Sequence, residues 1–317
     1  MPENPSRQWV MNTLTKQGIE ALAAPESVRD TPWSKVSRLL TVKGYVYLKE
    51  MSPQFAVEPY VLNLLHKELS ANVTEVIAHD DVHRWFLMPD AGSRLREKLK
   101  QNYQVELVAS MLKEYAELQI KAVNKNEKFL ALRVKDWRLV NLPSIYEALL
   151  SQRDFLQRDG LTEADLATLA SLKGVFAEKC EQLAQLGLPE TIEHGDFQDN
   201  NILIDKNDKI TFNDWGDANI THPFFSLGSW LDSASRHHQM GVNDPRRAVL
   251  MEAYLEPWQA FAPLKILKEA FIISETIRPV LFAINFCRVA SCPGMENLGE
   301  FKGYIAGALK EFMQENH

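Results

Sequence analysis

The spacing of hydrophobic and polar residues changes between helical and strand-like periods over the first ninety or so positions. Apolar residues at helical spacing predict helices, and strict alternation predicts strands. Val42-Lys43-Gly44 lies between two alternating stretches and is typical of a hairpin turn. Gly18 interrupts the first helical stretch and weakens it. The pattern predicts, in order, a helix, a hairpin, a second helix and two strands, over residues 7–23, 35–40 with 45–51, 57–69, 76–79 and 85–88.

After Pro89-Asp90-Ala91-Gly92 the pattern becomes mostly helical. The strongest strand pattern here is a hairpin over residues 201–204 and 209–213. The predicted helices cover residues 93–101, 104–123, 143–154, 162–185, 225–238, 245–256, 264–290 and 299–315. We therefore predict an α+β protein with a small β-rich lobe over residues 1–90 and a larger, mostly helical lobe over residues 91–317. Charged residues and a proline interrupt the apolar stretch 270–290, which predicts a pair of core helices and not a membrane span.

Composition narrows the class of protein. The 317 residues are 45% hydrophobic and carry a net charge of −7, so a large core is expected and a nucleic-acid partner is not. The three cysteines form neither a metal-ligand spacing nor a disulfide framework. With no secretion signal in the first residues, we expect a cytoplasmic protein with no membrane partner. The sequence leaves monomer and homodimer open.

One motif carries most of the chemical information. His194-Gly195-Asp196 is followed five residues later by Asn201, and the hairpin ends in Asn213-Asp214-Trp215-Gly216. Phosphoryl transfer from a nucleotide requires a carboxylate near the attacking hydroxyl and oxygen ligands for Mg²⁺. Asp196 is the candidate catalytic base. Asn201 and Asp214 lie at the shared end of the two predicted strands and are the candidate metal ligands.

These spacings resemble those of the protein-kinase-like superfamily, and His-Gly-Asp resembles its aminoglycoside phosphotransferase and choline kinase branch. The resemblance implies a kinase-like two-lobe fold, ATP or GTP with Mg²⁺, and transfer to a small-molecule hydroxyl. Acceptors in the branch are aminoglycoside-, choline- or homoserine-like, and an acidic surface would favour a cationic one. The resemblance also implies that His194 supports the loop from beneath. Gly216 is expected to permit the bend after Asp214.

The small lobe carries the candidate nucleotide contacts. Lys49 ends the alternating strand 45–49, and Glu58, at the start of the next helix, is placed to pair with it. The pair resembles the family's phosphate-binding lysine and its helix glutamate. Ser34 lies in a glycine-free turn where the family covers the phosphates, although a plain turn serine is an equal alternative. Met88 precedes Pro89 in the segment that resembles the adenine-binding hinge.

The acceptor site is less clearly marked. Several acids and tryptophans of the large lobe fall where relatives build their acceptor pockets, although solvated helix faces and core tryptophans explain them as well. They are Asp217, Asp232, Glu252, Glu256, Trp230 and Trp258. Phe197, Gln198 and Asn200 replace the family's usual Leu, His and Gly. Ser226, in a position where relatives place an acid, is a candidate helix cap.

Two other functions are compatible with the motif. A protein kinase would share it, but the chain lacks an Ala-Pro-Glu-like segment and an evident activation loop after Asp214. A nucleotide-binding regulator without catalysis is favoured by the glycine-free turn. The joint presence of Lys49, Asp196, Asn201 and Asp214 argues against it.

Overall fold

The computed structural model describes residues 5–295 and 298–316. The small lobe is built on a five-stranded antiparallel sheet in the order β1-β2-β3-β5-β4. Its strands are β1 (Glu26–Asp30), β2 (Ser34–Thr41), β3 (Gly44–Met51), β4 (Ala78–Asp80) and β5 (Trp85–Pro89). The predicted hairpin is confirmed as β2 and β3. The first strand, β1, lay outside the prediction because most of its side chains are exposed and no apolar alternation marks it.

Two helices flank this sheet. Helix α1 (Pro5–Lys16) packs Val10 and Leu14 against the outer face of the sheet and ends before Gly18, whose φ is +65°. The predicted extent to residue 23 was therefore too long. Helix α2 (Glu58–Leu69) agrees with its prediction within one residue, and Pro59 occupies its first turn, where no amide hydrogen is needed. We propose the boundary between the lobes near residue 90, where the chain leaves the sheet at Pro89.

The large lobe is mainly helical, as predicted. Its helices are α3 (Leu95–Gln101), α4 (Val105–Ala122), α5 (Asn126–Ala131), α6 (Leu142–Leu150), α7 (Arg153–Asp159), α8 (Glu163–Ser171), α9 (Lys173–Gln185), α10 (Phe225–His238), α11 (Pro245–Leu255), α12 (Leu264–Ala290) and α13 (Tyr304–Glu315). The predicted helices 143–154 and 162–185 are each divided in two, and α5 was not predicted. The last helix begins at Tyr304 and not at residue 299.

Helix α12 corrects another prediction, because residues 264–290 form one continuous helix and not a pair. Pro279 lies inside it and removes one backbone hydrogen bond. The helix persists because it packs against α6, α9, α10, α11 and α13. By length and composition α12 is the one described helix that could cross a membrane, but the same test is passed by core helices.

Two small three-stranded sheets position the site. One has the order β10-β9-β6 and the other β7-β11-β8. Their strands are β6 (Ser93–Arg94), β7 (Lys135–Asp136), β8 (Thr191–Glu193), β9 (Ile202–Ile204), β10 (Ile210–Phe212) and β11 (Asn219–Thr221). Strand β8 leads directly into His194, and β10 leads into Asp214. The geometry of the motif thus depends on strands of two or three residues.

His222, which follows β11, makes a testable contribution to stability. It is fully buried, its Nδ1 accepts the Phe224 amide hydrogen (3.3 Å), and burial lowers its pKa from 6.5 to about 3. The unfolded chain binds a proton below about pH 6.5 while the folded chain does not, so stability falls as the pH decreases through this window. Because of His222, the free energy of unfolding of the wild type should be about 2–3 kcal/mol lower at pH 4.5 than at pH 6.5.

In His222→Asn, whose side-chain oxygen can still accept the Phe224 amide, this acid-dependent loss should be absent. Urea unfolding at a series of pH values measures the free energy of unfolding. The variants are compared by the slope of this free energy against pH, because the smaller side chain of asparagine lowers stability at every pH. The exposed His66→Asn is the matched control. An unchanged slope in His222→Asn would contradict the prediction.

Candidate active site

The hairpin β9–β10 brings the two candidate metal ligands to the same end. Ile202 pairs with Phe212, and the Asn213 amide donates to the carbonyl oxygen of Asn201 (3.0 Å). Asp214 follows at once in a left-handed backbone conformation (φ 65°, ψ 60°). Asn201 and Asp214 line the same cavity. The sequence prediction of their proximity agrees with this arrangement.

Asp196 lies between two amide donors. Gln198 Nε2 donates to its Oδ1 (2.6 Å), and Asn201 Nδ2 donates to its Oδ2 (2.7 Å) and to its main-chain oxygen (2.9 Å). These bonds hold the carboxylate in one orientation. They also fix the amide of Asn201 with its nitrogen toward Asp196, which leaves Oδ1 as the oxygen available to a cation.

The loop before Asp196 is supported by buried polar groups. His194 is fully buried, its Nδ1 accepts the Asp196 amide hydrogen (3.3 Å), and its Nε2 donates to the Asn213 carbonyl (2.8 Å). One tautomer, with the proton on Nε2, satisfies both bonds. Gly195 has φ +82°, and a Cβ there would lie 2.3 Å from the Asp217 carbonyl oxygen. Only glycine allows the loop to approach this turn so closely.

Glu193 is a buried acid that the sequence analysis did not identify. Its Oε2 accepts from the Gly195 amide (2.7 Å) and Asn219 Nδ2 (3.0 Å), and its Oε1 accepts from the Ser226 hydroxyl (2.8 Å). Burial raises the pKa of Glu193. The prediction that Ser226 caps α10 is therefore wrong: Ser226 lies inside the helix, and its hydroxyl donates to this carboxylate.

Lys49 lies between two carboxylates. Its Nζ is 2.6 Å from Glu58 Oε2 and 2.6 Å from Asp214 Oδ1, and Lys49 and Glu58 are both buried. Burial disfavours the ammonium, but the charges of Asp214 and Glu58 outweigh it and raise the pKa of Lys49. Burial raises the pKa of Glu58 to about 7, whereas Lys49 overcomes the effect of burial on Asp214 and lowers its pKa. The predicted pairing of Lys49 with Glu58 is present.

Gly216 has a different role from the predicted one. The bend is made by Asp214 itself, which takes the left-handed conformation, and Gly216 has no positive φ. A Cβ on Gly216 would lie 3.2 Å from the Cβ of Phe55 and 3.6 Å from Glu58 Oε2. Glycine at this position therefore lets the turn pack closely against the start of α2.

The residues present fit a magnesium ion. Asn201 Oδ1 and the Asp214 oxygen that does not contact Lys49 are the two ligand atoms left by the hydrogen bonds described above. Mg²⁺ takes few protein ligands and completes its coordination with water and phosphate oxygens. When bound, it would neutralise phosphate charge.

A cavity of about 680 Å³ runs from the small lobe to the helices of the large lobe. Of the seven predicted site residues, five line it: Ser34, Lys49, Asp196, Asn201 and Asp214. Glu58 does not line the cavity but forms an ion pair with Lys49, which does. Met88 lies opposite Tyr47, on the same face of the sheet as Lys49, but its side chain packs into the main core and does not line this cavity. Ser34 opens β2, and its amide bonds to Thr31 Oγ1 (3.2 Å) in the turn before it.

The far end of the cavity is lined by α10, α12 and α13. Phe282 and Phe286 are stacked (centroids 5.8 Å apart), and Phe286 contacts Tyr304 (5.3 Å). Asp232 also lines this end but pairs with Arg278 (2.6 Å), which additionally binds Glu275 (2.7 Å).

Four of the six predicted acceptor residues do not line the cavity. Trp230 and Trp258 are buried core residues, which was the alternative interpretation. Glu252 and Glu256 pair with Lys268 (3.4 Å) and Lys113 (2.8 Å) and do not line the cavity. Aromatic residues of α12 and α13, which the sequence analysis did not select, form the wall instead.

Asp217 faces the cavity beside Asp196 and Asp214, as an extension of the Asp-Trp-Gly turn. Burial raises its pKa to about 7 against the opposing charge of Arg288. Asn285 donates to the Gly195 carbonyl (3.1 Å), and Arg288 Nη2 donates to the carbonyls of Gln54 (2.8 Å) and Gly216 (3.1 Å). Helix α12 thus links both halves of the motif to the small lobe.

A hydrogen-bond chain extends from the candidate base into the protein. Arg96 Nη2 donates to Gln198 Oε1 (2.6 Å), and Arg96 Nε donates to Asp199 Oδ1 (2.8 Å). His238 Nε2 lies 2.5 Å from Asp199 Oδ2. Bonds from Arg96 and His238 overcome burial and lower the pKa of Asp199. Arg96 therefore orients the Gln198 amide so that its NH₂ group faces Asp196.

Gln198→Ala is expected to lower kcat by about 10- to 100-fold, because a hydrogen bond to a charged group contributes about 1.5–3 kcal/mol. The KM for the nucleotide should change little, since Gln198 acts through Asp196 as a positioning residue. Steady-state kinetics separates the two parameters, and Gln198→Asn, whose shorter amide cannot bridge Arg96 and Asp196 equally well, should fall between. A rise in KM at constant kcat would assign Gln198 to binding instead.

The fold and the site define a kinase-like phosphotransferase. A family model described as the phosphotransferase enzyme family matches residues 44–264, more than half of the sequence. The chain belongs to this family, and the resemblance predicted from residues 194–217 is confirmed. Comparison with curated proteins found no match.

Solved structures show the same fold at low sequence identity. An aminoglycoside 2′-phosphotransferase in complex with GDP aligns with a TM-score of 0.64 and 12% identity, covering 99% of this chain and 100% of that one. An ethanolamine kinase from Plasmodium vivax gives 0.62 and 12%, covering 99% and 89%. The choline kinase LicA from Streptococcus pneumoniae gives 0.61 and 12%, covering 97% of each chain.

Proposed function

We propose that this protein transfers the γ-phosphate of ATP to a hydroxyl group of a small molecule. The observation that carries the proposal is the convergence of Lys49, Asp196, Asn201 and Asp214 on one cavity. The structural neighbours in complex with GDP and AMP support a nucleotide as the donor. Membership of the phosphotransferase family supports the reaction.

Each residue of the cluster has a distinct task. Asp196, held by Gln198 and Asn201, orients the acceptor hydroxyl and accepts its proton. Lys49 neutralises charge on the nucleotide phosphates, and Glu58, 2.6 Å from the ammonium, holds the lysine in place. Asn201 and Asp214 would hold Mg²⁺. In phosphoryl transfer, positioning and charge neutralisation supply most of the rate enhancement.

The acceptor is proposed to be an amine-bearing alcohol. Phe282 and Tyr304 expose a large part of their rings, and Glu311 lies beside them in the cavity. An aromatic wall with a carboxylate favours a cation over an anion. Arg278, which also lines this end, is neutralised by Asp232 and Glu275, and the five acids that line the cavity outnumber its three arginines and one lysine. The ethanolamine, choline and aminoglycoside kinases among the structural neighbours support the same class.

An ADP- and GDP-release screen tests the proposal, with ATP and GTP as donors and amino-alcohols, aminoglycosides, sugars and hydroxy amino acids as acceptors. We expect acceptor-dependent release with at least one amine-bearing alcohol and none without Mg²⁺. Nucleotide binding without transfer to any acceptor would favour the regulatory function instead. A generic protein acceptor is included in the same screen, and transfer to it alone would favour a protein kinase.

We also propose a cytoplasmic location. Cys180, Cys287 and Cys292 are all free thiols, which is usual in a reducing compartment. Fractionation of cells that express the native protein would test this, and recovery from an oxidising compartment would contradict it.

A further inference from the structure

A second cavity, of about 490 Å³, lies between the lobes and shares no lining residue with the substrate cavity. Its small-lobe wall is formed by the segment before α2 and by Tyr60. Its large-lobe wall includes Arg133, Lys135, Ala218 and Arg288. We call this cavity the posterior pocket.

The two cavities are separated by thin walls of main chain. Phe55 faces the substrate cavity, whereas its neighbours Gln54 and Ala56 line the posterior pocket. In the same way, Asp217 lines the substrate cavity and its neighbour Ala218 lines the posterior pocket. The posterior pocket therefore lies directly behind the Asp214–Asp217 turn and the start of α2, on the opposite side from Asp196.

The charge of the posterior pocket is opposite in sign to that of the whole protein. Arg133, Lys135 and Arg288 line it, and no aspartate or glutamate is among its lining residues, although the chain carries a net charge of −7. Within residues 5–295 and 298–316, neither Arg133 nor Lys135 forms an ion pair, and neither side chain donates a hydrogen bond. Partial desolvation against the pocket wall, aided by the charge of Arg288, lowers the pKa of Lys135, which is otherwise exposed. Arg133 and Lys135, held beside Arg288 without acidic partners of their own, favour an anionic occupant.

Arg288 supplies the buried part of this positive surface. Its Nη1 and Nη2 are occupied by main-chain carbonyls and Asn285, and its guanidinium stacks over Phe55 (5.0 Å). Its Nε is buried and has no hydrogen-bond partner in the part of the chain that the structure describes. The nearest acid is Asp217, at 3.5 Å from Nη1. A buried donor without a partner is costly unless a ligand satisfies it.

We propose that the posterior pocket binds a small phosphate-bearing metabolite, held by Arg133, Lys135 and Arg288. Phosphate matches this donor set because arginine offers a planar fork of N–H groups and lysine a compact point charge. The volume is in the range of small-molecule sites, and Tyr60, Val57 and Leu132 provide surface for a less polar portion. A concave pocket of this size favours a small molecule over an acidic protein segment.

Glycerol 3-phosphate is the probe, titrated by calorimetry without nucleotide, with glycerol as the phosphate-free control. Removing two cations in Arg133→Gln/Lys135→Gln should weaken binding at least about tenfold, since each charge-assisted hydrogen bond is worth about that factor. Both side chains are exposed, so the variant is expected to fold, and its thermal unfolding checks this. Lys100→Gln/Lys121→Gln removes two exposed charges elsewhere and should bind as the wild type does.

Amide chemical shifts of ¹⁵N-labelled protein locate the probe. The proposal expects shifts in residues 131–135 and at Ala218. Shifts confined to residues 195–201, equal affinity in the Arg133/Lys135 variant, or no binding would overturn it. Binding of a phosphoserine peptide but not of glycerol 3-phosphate would also overturn it, in favour of a macromolecular partner. Because no nucleotide is present, these results do not depend on whether the protein transfers phosphate.

Discussion

Replacing Asp196 with alanine is expected to lower the rate of phosphoryl transfer by about 10²–10⁴-fold, the usual contribution of a positioned general base. The loss should appear in kcat, because the proposed role of Asp196 is to contact the acceptor hydroxyl and not the nucleotide. ADP release with the best acceptor from the screen measures the rate. Alanine is preferred to asparagine, since Gln198 and Asn201 both present NH₂ groups to this side chain and a third amide would oppose them.

The exposed Glu97→Ala, a loss of one acid in α3, is the control and should keep wild-type kinetics. Binding of Mg²⁺-ATP, followed by thermal shift, should persist in Asp196→Ala and show that the site is intact. Turnover within a factor of two or three of the wild type would remove Asp196 from the role of base. Loss of nucleotide binding together with activity would instead indicate a collapsed loop.

The elements that sequence reasoning located well are those in which local pattern and tertiary contacts agree. The β2–β3 hairpin has a turn signal and clean alternation, and α2 has a proline in its first turn and four buried apolar residues at helical spacing. The pairing of Lys49 with Glu58 followed from these two elements, because a lysine that faces a cleft at a strand end requires a nearby acid. The hairpin β9–β10 was located because its local pattern also agrees with its tertiary contacts.

Contacts between distant parts of the chain could not be predicted in this way. Arg288 and Asn285, on α12, bind main-chain oxygens of Gln54, Gly195 and Gly216, which lie far away in sequence. Nothing near Arg288 in the sequence distinguishes it from a solvated lysine or arginine on a helix face. The burial of Glu193 could not be predicted either, because two of its hydrogen-bond partners come from α10 and β11.

Gln198 shows that a departure from a family pattern can carry a signal. In the sequence it stands out only because it replaces the family's usual histidine, which assigns it no role. The structure places it against Asp196 and Arg96. A polar residue two positions after a candidate base can be proposed from the sequence as a hydrogen-bond partner of that base. Its orientation cannot be predicted, because Arg96, which orients Gln198, lies about a hundred residues earlier.

Asp214→Asn is expected to abolish the metal-dependent part of nucleotide binding, weakening the affinity for Mg²⁺-ATP at least about tenfold. The substitution removes one negative charge from the proposed cation site, and a charge-assisted contact is worth about 1.5–3 kcal/mol. Asparagine is the appropriate replacement because Asp214 has φ 65°, a conformation that asparagine tolerates and alanine does not. Thermal-shift titration with ATP, in Mg²⁺ and in EDTA, separates the metal-dependent affinity from the rest.

Asp208→Asn is a closely matched control for this variant. Asp208 lies on the turn of the same hairpin, also has positive φ (61°), and is exposed, so its substitution changes charge and backbone preference equally but leaves the cavity unaltered. Its Mg²⁺-ATP affinity should equal that of the wild type.

In Asp214→Asn, Lys49 keeps Glu58 as its partner, so nucleotide binding in EDTA should change far less than binding in Mg²⁺. Equal weakening under both conditions would mean that Asp214 acts through Lys49 and not through a metal ion, and the assignment of the cation site would have to be abandoned.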